Sequence, residues 1–500
     1  MSIPKDREFG DFQTPINLAR SIVNFLKANG ICPSIVIEPT CGTGNFLVAC
    51  VEAFGDETSY YGFDINPKHI EKAKKSLSQF KQIRFEISCD NFYDKDWRNL
   101  FGSFTSTLLI IGNPPWVTNS ALAVMGSDNL PKKSNFQDHA GFAAKTGKAN
   151  FDISEWMLIK LFESLAGKKA ILAMLCKTGT ARKVLKFLWE KGINVSNCSL
   201  HLIDATRHFG VSTDACLLVA HTGRSEQRLI ARVLADLDFE SLVSTFGLIG
   251  GELVADTVSY ESLIDINGEE HRKWRSGIKH DAKKVMEFKT MGNYYVNGLG
   301  EQCDIEQDYL FPLLKSSDIA NNRLHPSKYV LVTQRSTSED TSIIMLTAPK
   351  TWKYLQSHST YLDKRASIIY KKRSRFSIFG VGAYTFAPWK VGVSALYKNI
   401  SFRVVGSMGD KPIVLDDTCY FIACQSYDEA EFFCSLLNSD VSKRFIASLV
   451  FLDAKRPVTI DILKRIDLKK LSERMGCLRQ VKRYLNREIP KKEKQGVFTF

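Results

Sequence analysis

The sequence predicts an α/β fold for the first half of the chain and a separate domain for the second half. Short apolar runs typical of strands alternate with amphipathic helical segments up to about residue 220. Beyond about residue 225 this alternation stops. The chain has 500 residues, and a single hydrophobic core stops growing near roughly 250 to 300 residues, so at least two domains are expected.

The predicted elements of the first half follow in a regular order. A helix is expected after Pro15, where apolar residues recur at helical spacing. A buried strand at 34–37 then leads through a glycine turn into a second helix. Further strands are expected at 60–64, 84–88, 108–111, 169–175, 199–203 and 215–220, with helices at 68–80, 154–165 and 181–191. Such alternation indicates a mostly parallel sheet covered on both faces.

The unusual residues of this half all lie where a predicted strand ends. The glycine turn follows the first strand, Asp64 ends the second, Asp90 follows the third and the tetrapeptide 113–116 follows the fourth. Ligands of open α/β sheets bind outside the carboxyl ends of the strands. The sequence therefore predicts one site that these residues share.

The turn and the acid after it favour a cofactor that contains a nucleoside. Gly42 and Gly44 let the backbone pass close to a ligand, and the helix behind them offers unpaired amides. Asp64, about 20 residues downstream, is placed to accept hydrogen bonds from ribose hydroxyls. Tight strand-to-helix packing alone would also explain the glycines, and Asp64 would also serve as a helix N-cap before Pro67.

The tetrapeptide Asn113-Pro114-Pro115-Trp116 has the character of a methyl-transfer site. Its two prolines fix the backbone, so the side-chain oxygen of Asn113 and a carbonyl outside secondary structure can converge on one amino group. Two acceptors increase the electron density on that nitrogen, and Trp116 offers a flat surface for the ring that bears it. A proline-rich turn with a core tryptophan is the alternative.

This tetrapeptide, together with the turn 38–44, resembles the gamma class of bacterial N(6)-adenine DNA methyltransferases. The order of motifs is also kept, from Gln13-Thr14-Pro15 to the turn, the two acids and the tetrapeptide. The resemblance implies a Rossmann-like, class I S-adenosylmethionine-dependent methyltransferase domain of α/β type, followed by a mixed α+β target recognition domain. The cofactor-binding residues that it implies, with the motif residues around the turn, are Thr14, Glu38, Thr40, Gly42, Gly44, Asp64, Asp90 and Phe92.

Within this resemblance, Asp90 is expected to contact the cofactor adenine and Phe92 to pack near it. Glu38 stands where the family usually has Asp, and Thr40 and Thr43 replace small residues. These departures leave the prediction of S-adenosylmethionine intact.

Family members hold a flipped adenine between the aromatic residue of the tetrapeptide and a second one before the last strand. Phe209 stands at that place, although it would also fit as a core phenylalanine. Extrusion is needed because the amine of a stacked, paired adenine cannot be reached. The catalytic set is therefore Asn113, Pro114, Pro115, Trp116 and Phe209. An asparagine at the head of the tetrapeptide favours adenine over cytosine by family association.

The second half resembles the target recognition domains of these enzymes, and the domains are expected at 1–225 (catalytic), 226–300 (connecting) and 301–500 (DNA recognition). The net charge is +13. It divides into about +5 for residues 1–230, about −7 for 231–310 and +15 for 311–500, where 32 basic face 17 acidic residues. The surplus in the last third favours a polyanionic partner, double-stranded DNA, although a solvated basic face is equally open.

Residues expected to contact DNA lie in three segments. The polar stretch 117–150 contributes Lys132 and Lys133, which would meet phosphates of the duplex. Arg275 lies in a basic run at the start of the second half, and a second run is followed by several aromatic residues that are at least equally well explained as strand core. That run contains Lys371, Lys372, Arg373 and Arg375.

Composition places the chain in a reducing cytoplasm. Its 12 cysteines are too sparse for a disulfide framework and show no C-x-x-C spacing, so no metal is expected. The N-terminus has no apolar signal segment, and no stretch approaches 18 consecutive apolar residues, so no membrane association is expected.

The leading interpretation is an adenine-specific DNA methyltransferase, the modification half of a restriction–modification system, whose restriction endonuclease would be encoded separately. Three alternatives remain open. The same tetrapeptide chemistry serves RNA and protein-glutamine methyltransferases. A bifunctional enzyme that also cuts DNA would need a nuclease site, for which the nearest pattern is Asp281 with Glu287-Phe288-Lys289 in a short helical segment. A DNA-binding module with an inactive catalytic site is the third.

Overall fold

The computed structural model describes residues 13–117, 152–223, 228–270, 272–371 and 373–485. The chain divides between Thr257 and Val258 into two compact units. Each unit has its own β-sheet structure and its own hydrophobic core.

The first unit begins with alternating strands and helices. Its strands are β1 (Ile35–Glu38), β2 (Ser59–Asp64), β3 (Arg84–Cys89), β4 (Leu108–Gly112), β5 (Ala170–Lys177), β6 (Val195–Ile203) and β7 (Ala215–Thr222). Its helices are α1 (Ile16–Ala28), α2 (Asn45–Phe54), α3 (Pro67–Leu77), α4 (Trp97–Gly102), α5 (Ile153–Ser164), α6 (Thr178–Glu190) and α7 (Ala205–Phe209). The predicted strands and helices coincide with these within a few residues.

These seven strands lie in the order β3-β2-β1-β4-β5-β7-β6. The pairs from β3 to β5 are parallel, whereas β7 runs antiparallel to both neighbours. The chain thus winds outward from β1 in both directions, which opens a crevice at the carboxyl ends of β1 and β4. That crevice is where the sequence predicts the ligand.

Burial explains why these segments form a covered sheet. Every residue of β1 and β4 is buried, as expected for strands with helices on both faces. Helix α1 buries one apolar face, which includes Leu18, Ile22 and Leu26. Helices α1 and α2 share one hydrophobic core with the sheet, and Trp116 belongs to that core.

The segment predicted as a connection begins instead as part of the first unit. Strands β8 (Ile230–Leu234), β9 (Leu242–Ile249) and β10 (Glu252–Val254) extend the sheet beyond β6 to ten strands. Strand β8 pairs in parallel with β6. The added strands satisfy backbone groups that the edge of β6 would otherwise expose, a pairing that hydrophobic periodicity alone does not reveal.

The second unit is a mixed α+β structure. Its helices are α8 (Thr257–Ser262), α9 (Lys283–Met286), α10 (Ser316–Ala320), α11 (Ile344–Thr347), α12 (Pro349–Ser357), α13 (Ser359–Asp363), α14 (Tyr427–Leu437), α15 (Asp440–Leu449), α16 (Ile460–Lys464), α17 (Leu468–Arg474) and α18 (Leu478–Leu485). Its strands are β11 (Arg275–Ser276), β12 (Glu287–Met291), β13 (Tyr294–Asn297), β14 (Gln302–Cys303), β15 (Leu310–Leu314), β16 (Lys328–Leu331), β17 (Trp389–Ser394), β18 (Phe402–Val405), β19 (Ser407–Met408), β20 (Lys411–Pro412), β21 (Val414–Leu415) and β22 (Cys419–Cys424).

Its strands form two larger sheets, ordered β14-β13-β12-β16-β15-β21 and β11-β22-β17-β18, and a short β19-β20 hairpin. Antiparallel pairs dominate, with β15 and β21 as a parallel pair. Phe376, which follows the basic run, is buried in the core of this unit. Phe376 thus has the buried position that the alternative of strand core expected, but it lies in a turn and not in a strand.

Candidate active site

A cavity of about 380 Å³ opens at the carboxyl ends of β1, β2, β3 and β4. Sequence-predicted residues from five separate segments meet in its wall. Four of these segments lie at strand ends, as expected, and the fifth, with Thr14, precedes α1. The predicted residues that line it are Thr14, Glu38, Thr40, Gly42, Asp64, Asp90, Phe92, Asn113 and Pro115. Gln13, Asn45, Asn66, His69, Tyr93 and Met157 line it as well, and the sequence interpretation did not assign them a role in the site.

The glycine turn is held in a conformation that favours glycine. Gly42 and Gly44 have φ angles of 51° and 84°. A Cβ on Gly42 would lie 2.4 Å from the side-chain oxygen of Gln13, and one on Gly44 would lie 3.0 Å from the Cβ of Ala73. The first glycine thus allows a close approach on the cavity side, and the second allows α2 and α3 to pack.

Asp64 is oriented by the turn itself. One of its carboxylate oxygens accepts a hydrogen bond from the backbone amide of Gly42 at 2.9 Å, and the other accepts one from the amide of Asn66 at 2.8 Å. His69 places Nδ1 3.4 Å from the same carboxylate. The two backbone amides fix the side chain at the wall of the cavity.

The residues before α1 are tied to the turn. The amide and the hydroxyl of Thr43 both donate to Gln13 Oε1 at 3.0 Å, and the side-chain amide of Asn45 donates to the carbonyl of Thr14 at 2.7 Å. Thr14 is buried. Gln13 and Thr14 therefore form part of the cavity wall, held there by contacts with residues about 30 positions further along the chain.

Glu38 and Thr40 bring polar atoms into the buried end of the cavity. Glu38 is only 3% exposed, and burial, reinforced by the nearby charge of Asp64, raises the pKa of its carboxyl well above the usual range. Within the described part of the chain, Oε2 of Glu38 and Oγ1 of Thr40 have no hydrogen-bond partner. Buried polar atoms of this kind are typical of a wall that a polar or cationic ligand completes.

Asp90 and Phe92 line the cavity as well. Asp90 accepts hydrogen bonds from Lys95 Nζ at 2.7 Å and from the hydroxyl of Ser88 at 2.9 Å, both on Oδ2. The hydrogen bond from Lys95 lowers the pKa of the Asp90 carboxyl, so it is held as a carboxylate. Phe92 is buried against Trp97, with ring centroids 4.9 Å apart.

The tetrapeptide leaves β4 at the floor of the cavity. Asn113 and Pro115 line the cavity. Trp116 is 6% exposed and packs its indole against Phe209, with ring centroids 5.2 Å apart. Phe209 ends α7 and is followed by Gly210 with a φ of 66°. The structure therefore brings the two predicted aromatic residues together, although they are 93 positions apart in sequence.

Two residues beside the tetrapeptide were not predicted. Lys177 Nζ donates to the carbonyl of Trp116 at 3.0 Å and to the carboxylate of Asp152 at 2.6 Å. Asp152 also caps α5 by accepting from the amide of Ser154. A lysine at the end of a strand gives no sequence signal of such a contact, because its partners lie 25 and 61 residues away.

The residues predicted to contact DNA differ in their exposure and in their partners. Lys132, Lys133 and Lys372 lie outside the described residues. Lys371 and Arg373 are exposed in the second unit. The guanidinium of Arg275 lies 4.5 Å from the centre of the Tyr384 ring. Arg375 makes two hydrogen bonds to Asp363, at 2.6 and 3.1 Å, which offset its charge.

The segment considered for a nuclease site consists of a short helix followed by a strand. Helix α9 ends at Met286 and Glu287 opens strand β12, so the residues Glu287-Phe288-Lys289 lie in a strand and not in the expected helical segment. The buried Glu287 carboxylate is paired with Lys315 and lies near His280. Among the described residues no group of His, Cys, Asp and Glu could hold a metal ion. None of the helices in the described residues has the length and apolar character needed to span a membrane.

The sheet order, the antiparallel β7 and the cavity at the carboxyl ends define a class I methyltransferase fold, as the sequence predicted. A solved structure of the type IIL restriction–modification enzyme MmeI in complex with DNA aligns with 96% of this chain and 69% of its own, with a TM-score of 0.54 and 13% identity. That likeness concerns the fold.

Sequence comparison identifies the family. The model for N-6 DNA methylases matches residues 3–221. The type II methyltransferase M.NspV of Nostoc sp. is 41% identical over 468 residues, which cover 93% of this chain and 97% of that protein. M.CvrRI, a type II methyltransferase of Paramecium bursaria Chlorella virus XZ-6E, is 33% identical over 109 residues, 22% of this chain and 25% of that protein. The chain belongs to the N-6 DNA methylases, the adenine-specific DNA methyltransferases of restriction–modification systems, which confirms the predicted family and enzyme class.

Proposed function

We propose that this enzyme transfers a methyl group from S-adenosylmethionine to the N6 amino group of an adenine extruded from double-stranded DNA, as the modification enzyme of a restriction–modification system. The observation that carries the proposal is the meeting of Asn113 with the glycine turn and Asp64 in one cavity. The side chain that would activate the amine and the wall that would bind the nucleoside therefore face the same cavity.

The residues of the cavity fit S-adenosylmethionine, whose amino group and sulfonium are cationic. Glu38 and Asp64 place two carboxyl groups in the wall, and a bound cation would stabilise their ionised forms. Thr40 Oγ1 is buried and without a partner among the described residues, so it is available to a polar ligand. Asp64 would hold the ribose hydroxyls, and Asp90 and Phe92 would contact the adenine ring. When bound, this cofactor supplies an electrophilic methyl group.

Asn113 would act on the substrate amine. Its side-chain oxygen accepts a hydrogen bond from the N6 amino group, which directs the nitrogen lone pair toward the cavity. The prolines that follow hold this side chain in place by restricting the backbone. A positioned acceptor costs no reorganisation during the reaction, which is the main source of its catalytic effect.

Trp116 and Phe209 would hold the extruded base. Stacking on aromatic rings offsets part of the cost of unpairing and unstacking, which is a few kcal/mol. Because each stacked interface needs about 3.5 Å, a base between two parallel rings requires about 7 Å between them. The two centroids lie 5.2 Å apart, so the rings would have to separate for a base to enter.

The second unit would bind the duplex through its exposed basic residues. Lys371 and Arg373 suit phosphate contacts, which give affinity without sequence readout. Arg375 would have to leave its ion pair with Asp363 to bind a phosphate. Arg275 lies over the ring of Tyr384 in the same unit. A separately encoded restriction endonuclease would share the recognition sequence.

Sequencing of DNA from cells that express the protein tests the activity, since it reports methylated adenines in their sequence context. We expect one recurring motif in parent DNA and no methylation with Asn113→Ala. The purified Asn113→Ala variant should lose at least about 100-fold in transfer rate while it still binds S-adenosylmethionine. The control is Asn24→Ala on the exposed face of α1. Labelled methyl found only in RNA or protein would contradict the proposal.

A further inference from the structure

Lys177 links two parts of the chain beside the tetrapeptide. Its ammonium group donates to the backbone carbonyl of Trp116 at 3.0 Å and to Asp152 at 2.6 Å. The amide of Ile153 donates to the carbonyl of Val117 at 2.8 Å, directly next to the first contact. Adjacent hydrogen bonds thus link the end of the tetrapeptide to the beginning of α5.

The position of Lys177 gives this contact a rigid base. It is the last residue of β5, where it pairs with Ala215 of β7. Strand β4 pairs with β5 up to Gly112 opposite Met174 and then leaves the sheet as the tetrapeptide, while β5 continues for three more residues. This difference in strand length places Lys177 alongside Trp116. A side chain that starts from a central strand can therefore hold the departing backbone in place.

Charge and burial indicate that the contact is strong. The side chain of Lys177 is 29% exposed and that of Asp152 is 9% exposed. Hydrogen bonds from an ammonium to a carbonyl and to a carboxylate are charge-assisted, and partial burial strengthens them. Asp152 offsets the lysine charge, which would otherwise oppose positive charge on the amine during methyl transfer.

We propose that Lys177, held by Asp152, is a positioning residue that fixes the backbone of Trp116, and with it the surface on which the extruded adenine stacks. The inference depends on the proposed function, because it concerns the base-stacking role of Trp116. Lys177 does not itself touch the substrate in this assignment. Its effect should therefore appear in the rate of transfer and the stacking of the base, and not in cofactor affinity.

The test compares Lys177→Met and Lys177→Arg in the full-length enzyme, with duplexes that carry the recognition sequence found by DNA sequencing. Methionine removes the donors at similar length, whereas arginine can donate to both partners. Lys177→Met should lower the single-turnover rate constant about 10- to 100-fold, as expected for a small displacement of a reacting geometry. Lys177→Arg should recover most of that loss, while the affinity for S-adenosylmethionine and the unfolding temperature stay near the parent values.

The emission of 2-aminopurine at the target position supplies a readout that a purely structural role would not move. Stacking on a ring quenches this base, so the complex with Lys177→Met should be brighter than the parent complex. Lys186→Met is the control, because its partner Glu190 lies on the same helix α6 and their ion pair is partly exposed.

Two results would overturn the inference alone. One is a Lys177→Met enzyme that matches the parent in rate and emission. The other is a loss of rate that follows a parallel loss of cofactor affinity and thermal stability in both variants. A parent enzyme that transfers no methyl group to duplex DNA would instead overturn the proposed function, and this inference with it.

Discussion

The indole of Trp116 meets the ring of Phe209 edge to face, with centroids 5.2 Å apart and planes inclined by 67°. This is a favoured geometry for two aromatic rings without a base between them. Trp116 is built into the core of the first unit and its carbonyl is held by Lys177. Phe209 is only partly buried, at the end of a five-residue helix before a left-handed glycine. We infer that Phe209 is the ring that moves when adenine enters.

Replacement of Phe209 tests its role in holding the base. Stacking of a base on an aromatic side chain is worth about 1 to 3 kcal/mol, so Phe209→Ala should reduce kcat/KM for the duplex by about 5- to 150-fold. Phe209→Tyr keeps the ring and should stay close to the parent. Steady-state methylation of the target duplex measures both. The control is Phe85→Ala, an exposed aromatic on β3, and an equal loss in the control would contradict the assignment.

Substitution of Asp64 by asparagine should weaken cofactor binding. The amide group turns one acceptor into a donor that faces the amide of Gly42 or of Asn66, and it removes the charge. Hydrogen bonds to charged groups contribute about 1.5 to 3 kcal/mol, so the Kd for S-adenosylmethionine should rise by roughly 10- to 150-fold. Titration calorimetry measures the change. Glu86→Gln, exposed on the neighbouring β3, should bind like the parent; unchanged binding by Asp64→Asn would exclude the ribose role.

Alanine substitutions at Gly42 and Gly55 distinguish the effect of backbone strain from the effect of a close contact with Gln13. Gly42 and Gly55 both have positive φ, but a Cβ would meet Gln13 only at Gly42, and it would meet nothing within 4 Å at Gly55. Both substitutions should cost about 1 kcal/mol or more in unfolding free energy. Only Gly42→Ala should also weaken the binding of S-adenosylmethionine, because it displaces Gln13 from the cavity wall. Calorimetry and thermal unfolding of the pair decide this, and equal binding by both variants would contradict the prediction.

Lys390 provides a test of pH dependence in the second unit. Its ammonium is fully buried on β17 and donates to the carbonyl of Ala387 at 2.8 Å, and burial lowers its pKa to about 7. Between this value and the unfolded pKa near 10.4 the unfolded chain binds more protons, so stability rises with pH. Lys390→Met should stabilise the protein by about 1 to 4 kcal/mol at pH 7, and this difference should shrink toward pH 10.

Denaturant unfolding at pH 7, 8.5 and 10 measures the difference for Lys390→Met. Lys289→Met, at an exposed position of β12, is the control and should show no such trend. A difference between Lys390→Met and the parent that stays constant over this range would show that the lysine does not titrate there.

Much of the first unit could be predicted from local patterns. The apolar runs that become β1 and β4 and the helical periodicity of α1 are encoded within short windows. The glycine turn and Asp64 follow the strands directly, so the rule for ligands at strand ends was enough to group them. The place of segment 226–300 in the fold could not be predicted from local patterns. Its strands β8 to β10 are ordinary in pattern, and their place depends on which sheet edge is open.

Contacts of side chains with other segments of the chain could not be predicted in this way. Gln13 reaches Thr43, Lys177 reaches Trp116, and Arg375 is paired with Asp363. Each depends on the direction of a side chain and on the packing of elements that the sequence pattern does not orient. The basic run after residue 370 illustrates the consequence. Each of its basic residues adds equally to the net charge, although the charge of one of them is already offset by a carboxylate.

The sequence by itself determined the α/β fold, the order of the motifs along it and the family of the enzyme, because strand ends, glycine turns and the tetrapeptide are local features with fixed places in a parallel sheet. The tertiary structure alone decided how the site is held. It placed Phe209 against Trp116, and it set Lys177 and Asp152 beside the tetrapeptide. The physical reason is that backbone pairing follows short-range pattern, whereas a side chain finds its partner only after the sheet and its helices have packed.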